Sequence, residues 1–153
     1  MPEPVYQGVK YDYTGVYGWD IRDPTLPPCV VGEVYPWSQM DGPTNGHWSE
    51  AHGRDVVPYV PNVMASVDSR PAMEKGCAYA FPTLAEWTAT LSRTKALIEA
   101  PGANLGFPSA SAPGGVQPAI TIYAWNEFQE GGIVCPTRGE DWLKLEAIKA
   151  VFG

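Results

Sequence analysis

Residues 119–125 read AITIYAW, a short continuous apolar run that stops at Asn126-Glu127. Such a run lacks the alternation of a half-buried strand. It is the pattern of a strand covered on both faces in a parallel sheet. Parallel strands need crossover connections, usually helices, so this one segment points to an α/β architecture. Two helices are legible around it. Thr83 and Glu86 stand at capping-box spacing. Leu84, Trp87, Leu91 and Ile98 then fall on one stripe, and Pro101-Gly102 ends it. A second helix is expected from about Asp141 to Phe152, with Trp142, Leu145, Ile148 and Phe152 on one face.

Two further strands are expected, near 8–14 and near 57–63. Pro58 and Pro61 weaken the second, because proline donates nothing to a ladder. Residues 20–46 carry the turn signals DPTLPP, DGP and NG, with room for one short helix before Arg54. Loops are expected over 65–82 and 106–118. Glycine and proline number 16 each, which suits long shaped loops better than a helical bundle.

The resulting order is strand, loop, strand, loop, helix, strand, loop, helix, which implies β-α units on a parallel sheet. About three units fit. A closed (β/α)8 barrel needs roughly 200 residues or more, and the chain has 153. The expectation is therefore one domain of α/β class. It is either a small open sheet or the C-terminal portion of a (β/α)8 TIM barrel whose remainder lies outside this chain. In the second case sheet edges stay unpaired and apolar surface stays exposed.

Charge and cysteine content narrow the function. The formal net charge is −7, and an acidic surface repels phosphate backbones, so nucleic acid is not an expected partner. No run approaches the ~18 apolar residues of a membrane span. Met1-Pro-Glu-Pro has neither the basic nor the apolar region of a signal peptide, a point without weight if the chain is part of a longer protein. Cys29, Cys77 and Cys135 are an odd number, far apart and without CxxC, so neither a metal site nor a disulfide framework is indicated. His47 and His52 are five apart, not the four of a metal-binding helix.

The chemistry concentrates where the strongest strand ends. Catalytic groups of parallel sheets sit at the carboxyl ends of strands. Trp125, Asn126, Glu127, Phe128 and Glu130 occupy that position. Glycosidic cleavage needs one carboxylic acid for the leaving oxygen and a second carboxylate as nucleophile or base. Glu127 and Glu130, three apart in a loop or single helical turn, can face one cavity. Trp125 and Phe128 are expected to supply the apolar surroundings a general acid uses. Gly131-Gly132 would let the backbone approach a ligand closely. Ordinary surface glutamates are the alternative. Asp68 and Arg70, after the 57–63 strand, could line the same mouth or form a loop ion pair. Tyr13 and Tyr17, with Asp12, could bind substrate after the first strand or serve packing and turns, and Asn62 stands at a strand end. Six Trp and eight Tyr suit stacking on sugar rings, or core packing.

The stretch IYAWNEFQEGGIVCPTRGEDWLKLEAI resembles the C-terminal motif of glycoside hydrolase family 99 and the broader WbsX-like group. There a last-strand WNE-x-x-EG is followed by a proline, here Pro136. PYVPNVMASVDSRP looks like the group's preceding strand and loop, and KYDYTGVY is similar to an earlier strand end. The resemblance implies a (β/α)8 barrel of which this chain is the C-terminal part. It implies a retaining endo-acting glycoside hydrolase on a polysaccharide or glycan, an α-mannoside in family 99 itself. Glu127 matches the general base at the sugar 2-hydroxyl, which gives a 1,2-anhydro sugar. Glu130 matches the general acid/base at the glycosidic oxygen. No metal or organic cofactor is implied, and the parent protein is expected to be secreted or periplasmic. Between the glutamates stand Phe128-Gln129, where family 99 has Trp-His, and this places the chain in the broader group. Some members of that group occur with polysaccharide-assembly machinery. A carbohydrate-binding or glycosyltransferase-associated protein is thus the second reading, and an α/β domain of unrelated function the third.

Overall fold

The computed structural model describes residues 5–6, 9–10, 34–38, 58–68, 70–71 and 78–153. Tyr13, Tyr17, Asp12, His47, His52, Cys29, Cys77 and the short helix expected before Arg54 lie outside these residues, as does most of the strand expected over 8–14. In chain order the described elements begin with β1 (Val5–Tyr6), β2 (Val9–Lys10), β3 (Val34–Tyr35), β4 (Asn62–Met64) and β5 (Ala78–Tyr79). The first helix, α1 (Leu84–Ile98), precedes β6 (Gly106–Pro108), β7 (Val116–Pro118) and β8 (Thr121–Tyr123). The chain ends with β9 (Asn126–Glu127), β10 (Gly132–Ile133) and α2 (Leu143–Phe152).

The central unit is β4–α1–β8. The two strands pair in parallel, with Asn62 opposite Thr121, Val63 opposite Ile122 and Met64 opposite Tyr123. The helix between them is the crossover a parallel pair requires. A second parallel pair joins β3 to β5. Among the described residues the remaining pairs are antiparallel and no barrel closes.

Alternation along β4 and β8 sorts side chains to two faces. Val63, Ala65, Ile120 and Ile122 face the helices and meet Trp87, Leu91, Ile98, Leu105, Val134 and Ala147 in the main core. Met64 and Tyr123 belong to a second cluster on the other face, with Trp37, Val67 and Tyr79. Asn62 and Thr121 share this face, where the Thr121 hydroxyl meets Asn62 Oδ1 at 3.1 Å. Helices α1 and α2 lie on one face, and β8 is partly open, with Thr121 exposed. The sequence expectation of a strand buried on both faces is corrected here.

Helix α1 starts as its sequence dictates. The Thr83 hydroxyl accepts from the Glu86 amide, and the Glu86 carboxylate accepts from the Thr83 amide at 2.8 Å. The buried stripe is Trp87, Thr90, Leu91, Thr94 and Ile98, with Leu84 exposed. Threonine can sit there because the Thr94 hydroxyl donates to the Thr90 carbonyl. Helix α2 packs on α1, and the Lys95 ammonium donates to the Val151 carbonyl at its C-terminal end.

Two expectations shift in phase. The 106–118 stretch is a hairpin, β6 against β7, with Phe107 opposite Gln117. Its turn, residues 109–115, reads Ser-Ala-Ser-Ala-Pro-Gly-Gly, a loop composition that masks the short paired flanks. In α2, Trp142 precedes the helix and is exposed, while Lys144 and Ala147 are buried. The Lys144 side chain goes inward because its charge has partners. Nζ donates to the Ile133 carbonyl at 2.9 Å, pairs with Glu140 at 3.0 Å and stands 5.3 Å from the Phe81 ring centre.

Candidate active site

The segment after β8 folds back on itself. β9 and β10 pair antiparallel, with Glu127 opposite Gly132 and Asn126 opposite Ile133. Residues 128–131 turn between them. The Glu130 amide donates to the Glu127 carbonyl at 3.1 Å, so both glutamates belong to one turn at a hairpin tip. The Trp125 carbonyl, just before β9, accepts from Cys135 at 2.9 Å and Val134 at 3.2 Å.

Tyr123 joins the carboxylates. It is the last residue of β8, on the face away from α1 and α2, and its phenol donates to Glu130 Oε2. Burial raises the phenol's pKa above its ordinary value. The hydrogen bond to Glu130 and the charges of Glu130 and Glu127 raise it further. Both carboxylates are therefore felt at one hydroxyl.

The neighbouring loop closes the other side. The Asp68 amide donates to the Glu130 carbonyl at 2.7 Å. Gly131 lies against the same stretch at φ +75°, and a Cβ there would stand 2.5 Å from the Asp68 nitrogen. A Cβ on Gly132 would stand 2.8 Å from the Tyr123 ring. The glycine pair thus serves close approach to Asp68 and to Tyr123.

Asp68 and Arg70 form a two-point ion pair, with Nε to Oδ1 at 2.8 Å and Nη2 to Oδ2 at 2.7 Å. The Arg70 amide also donates to Oδ1 at 3.1 Å. This guanidinium holds the Asp68 carboxyl below its usual range. Of the two roles the sequence left open for this pair, the structure contains the ion pair, beside the hairpin that carries the glutamates.

The aromatic residues flanking the carboxylates are open to solvent, Trp125 at 56% and Phe128 at 58% exposure. They do not enclose Glu127 and Glu130 in the way an apolar pocket would. Their rings are instead open to solvent. A cavity of about 550 Å³ lies at the C-terminal end of α1, lined by Ile98, Pro101, Asn104, Pro113, Val116 and Pro118, apart from every candidate residue.

Sequence reasoning passed over Tyr123. A signal was present: a tyrosine inside an apolar strand brings a hydroxyl that needs a partner when buried. Among the described residues no group of three His, Cys, Asp or Glu is placed to hold a metal ion, and no helix is long and apolar enough to cross a membrane. No family model, curated protein or solved structure matches the chain.

Proposed function

We propose that this chain carries the catalytic carboxylates of a retaining endo-acting glycoside hydrolase that acts on a polysaccharide or glycan, within the C-terminal portion of a (β/α)8 barrel. The observation that supports this reading best is the placement of Glu127 and Glu130 in one turn, with Tyr123 bonded to Glu130, at the carboxyl end of a strand in a β-α-β unit. Two carboxylates at one place are the requirement of glycosidic cleavage.

In the proposed reaction Glu127 takes the proton of the sugar 2-hydroxyl. The freed oxygen attacks the anomeric carbon and forms a 1,2-anhydro sugar. Glu130 gives its proton to the departing glycosidic oxygen. Glu130 then takes a proton from water as that water opens the three-membered ring, and the 2-oxygen recovers its proton from Glu127. No cofactor takes part. Trp125 offers its exposed face to a sugar ring, Asn126 its amide to hydroxyls, and Asp68 and Arg70 border the same loop. Tyr13 and Tyr17 are proposed to contact substrate from an earlier strand end.

The test is Glu127→Gln and Glu130→Gln in the intact protein, assayed on α-mannan for new reducing ends. Each substitution is expected to lower turnover about 10²–10⁴-fold with the melting temperature unchanged. Normal turnover in Glu127→Gln sinks the reading. The open aromatic faces of Trp125 and Phe128 favour a second one, a protein that binds or helps assemble carbohydrate without cleaving it. Heat of binding to mannan oligosaccharides with no new reducing ends would select that reading.

A further inference from the structure

We propose that Tyr123 is a positioning residue for Glu130: its phenol commits Oε2 and leaves Oε1 for the substrate. The proposal rests on the reading of Glu130 as the acid/base of the reaction above.

The phenol is delivered by a rigid element and the carboxylate by a turn. Tyr123 closes the β4–β8 ladder, and its carbonyl accepts from the Ala65 amide at 2.7 Å. Its ring has a built seat. Gly132 leaves room on one side, where any larger residue would meet Cε1 at 2.8 Å and Cδ1 at 3.0 Å. Trp37, Met64, Val67 and Tyr79 pack in the same cluster. Trp37 and Met64 are buried, so the ring rests on fixed neighbours.

Glu130 has its main chain held at two points, by the Asp68 amide on its carbonyl and by the Glu127 carbonyl on its amide. Those bonds fix where the side chain starts and not how its carboxylate turns. The phenol supplies that last constraint. A general acid must present a defined oxygen to the leaving group, and small misplacement is costly in rate. Tyr123 is suited to this and not to proton exchange. Burial and both carboxylates keep its hydroxyl protonated, so it stays a donor throughout the working range.

The intact protein tests this by Tyr123→Phe, Glu130→Gln and the double substitution, assayed on α-mannan. Tyr123→Phe is expected to lower kcat roughly 10–100-fold with KM within about twofold, and to cost nothing more once Glu130 is Gln. An equal loss in both backgrounds, or an unchanged kcat in Tyr123→Phe, overturns the proposal. A second readout is independent of activity. Proton NMR should show a slowly exchanging hydroxyl proton, absent in Tyr123→Phe, that shifts in Glu130→Gln while the ring signals stay. A hydroxyl signal indifferent to Glu130→Gln overturns the positioning role. Full mannan turnover in both Glu127→Gln and Glu130→Gln, with the hydroxyl signal still shifting in Glu130→Gln, overturns the catalytic assignment of the two carboxylates and leaves the Tyr123–Glu130 contact standing.

Discussion

The backbone amide of Asp68 donates to the carbonyl of Glu130 at 2.7 Å, which ties the loop after β4 to the hairpin after β8. The two loops follow adjacent parallel strands. The candidate site is thus assembled from neighbouring strand ends, and main-chain groups make the tie.

Gly131 is the weak point of that tie. Gly131→Ala places a methyl group against the Asp68 nitrogen at a backbone angle L-residues avoid. The conformation alone costs about 1–2 kcal/mol, and the collision adds to it. Gly139→Ala, with open space around it, is the control and should change little. Urea denaturation of the two variants measures the difference.

Acid should loosen the Asp68 loop. Arg70 depresses the Asp68 carboxyl in the folded protein. The pair's contribution is complete above the unfolded aspartate value of about 3.9 and is lost as pH falls from there through the lowered folded value. Arg70→Gln should therefore reduce stability at pH 6 and lose its effect at the most acid pH. Arg70 is exposed, so the shift in melting temperature is small. Equal effects at both ends of the pH range would contradict the assignment.

Lys144 anchors α2 beneath β10. Lys144→Met keeps the stem and removes the donor, so the Ile133 carbonyl and Glu140 lose their partner. An unsatisfied buried group costs about 1–3 kcal/mol. The unfolding free energy from urea denaturation should fall by that amount, with the helix content retained by circular dichroism.

Trp125 is exposed and holds the hairpin through its carbonyl. Trp125→Ala should change stability by no more than about 0.5 kcal/mol, yet weaken mannan oligosaccharide binding roughly tenfold. Titration calorimetry gives the affinity, and a separate thermal scan gives the stability control. Unaltered affinity would remove Trp125 from the binding surface.

The parts legible in sequence are those with local causes. The Thr83–Glu86 box marked the start of α1, and Pro101-Gly102 its end, because caps and breakers act over one turn. AITIYAW announced a strand, and the carboxylates after it were found. Long-range partners were not legible. Nothing local says that Gly131 faces Asp68, or that Tyr123 reaches Glu130 across a turn. Thr90 and Thr94 in the core escaped a hydrophobic reading because the Thr94 hydroxyl is satisfied one turn back, at Thr90. Lys144 escaped it because its partners lie on β10 and at Glu140. The 106–118 hairpin was hidden by its own turn chemistry.

The hairpin and its tie also form on different clocks. Tyr123, Glu127, Glu130 and Gly132 lie within one short stretch, and a hairpin of this size closes in roughly 1–10 μs. The bond from Asp68 must wait for β4 to find β8 across the whole of α1 and the β6–β7 hairpin, a slower non-local event. Before docking the two carboxylates meet only in passing, because a hairpin with two-residue strands is marginal by itself, and it is the docked chain that holds them still.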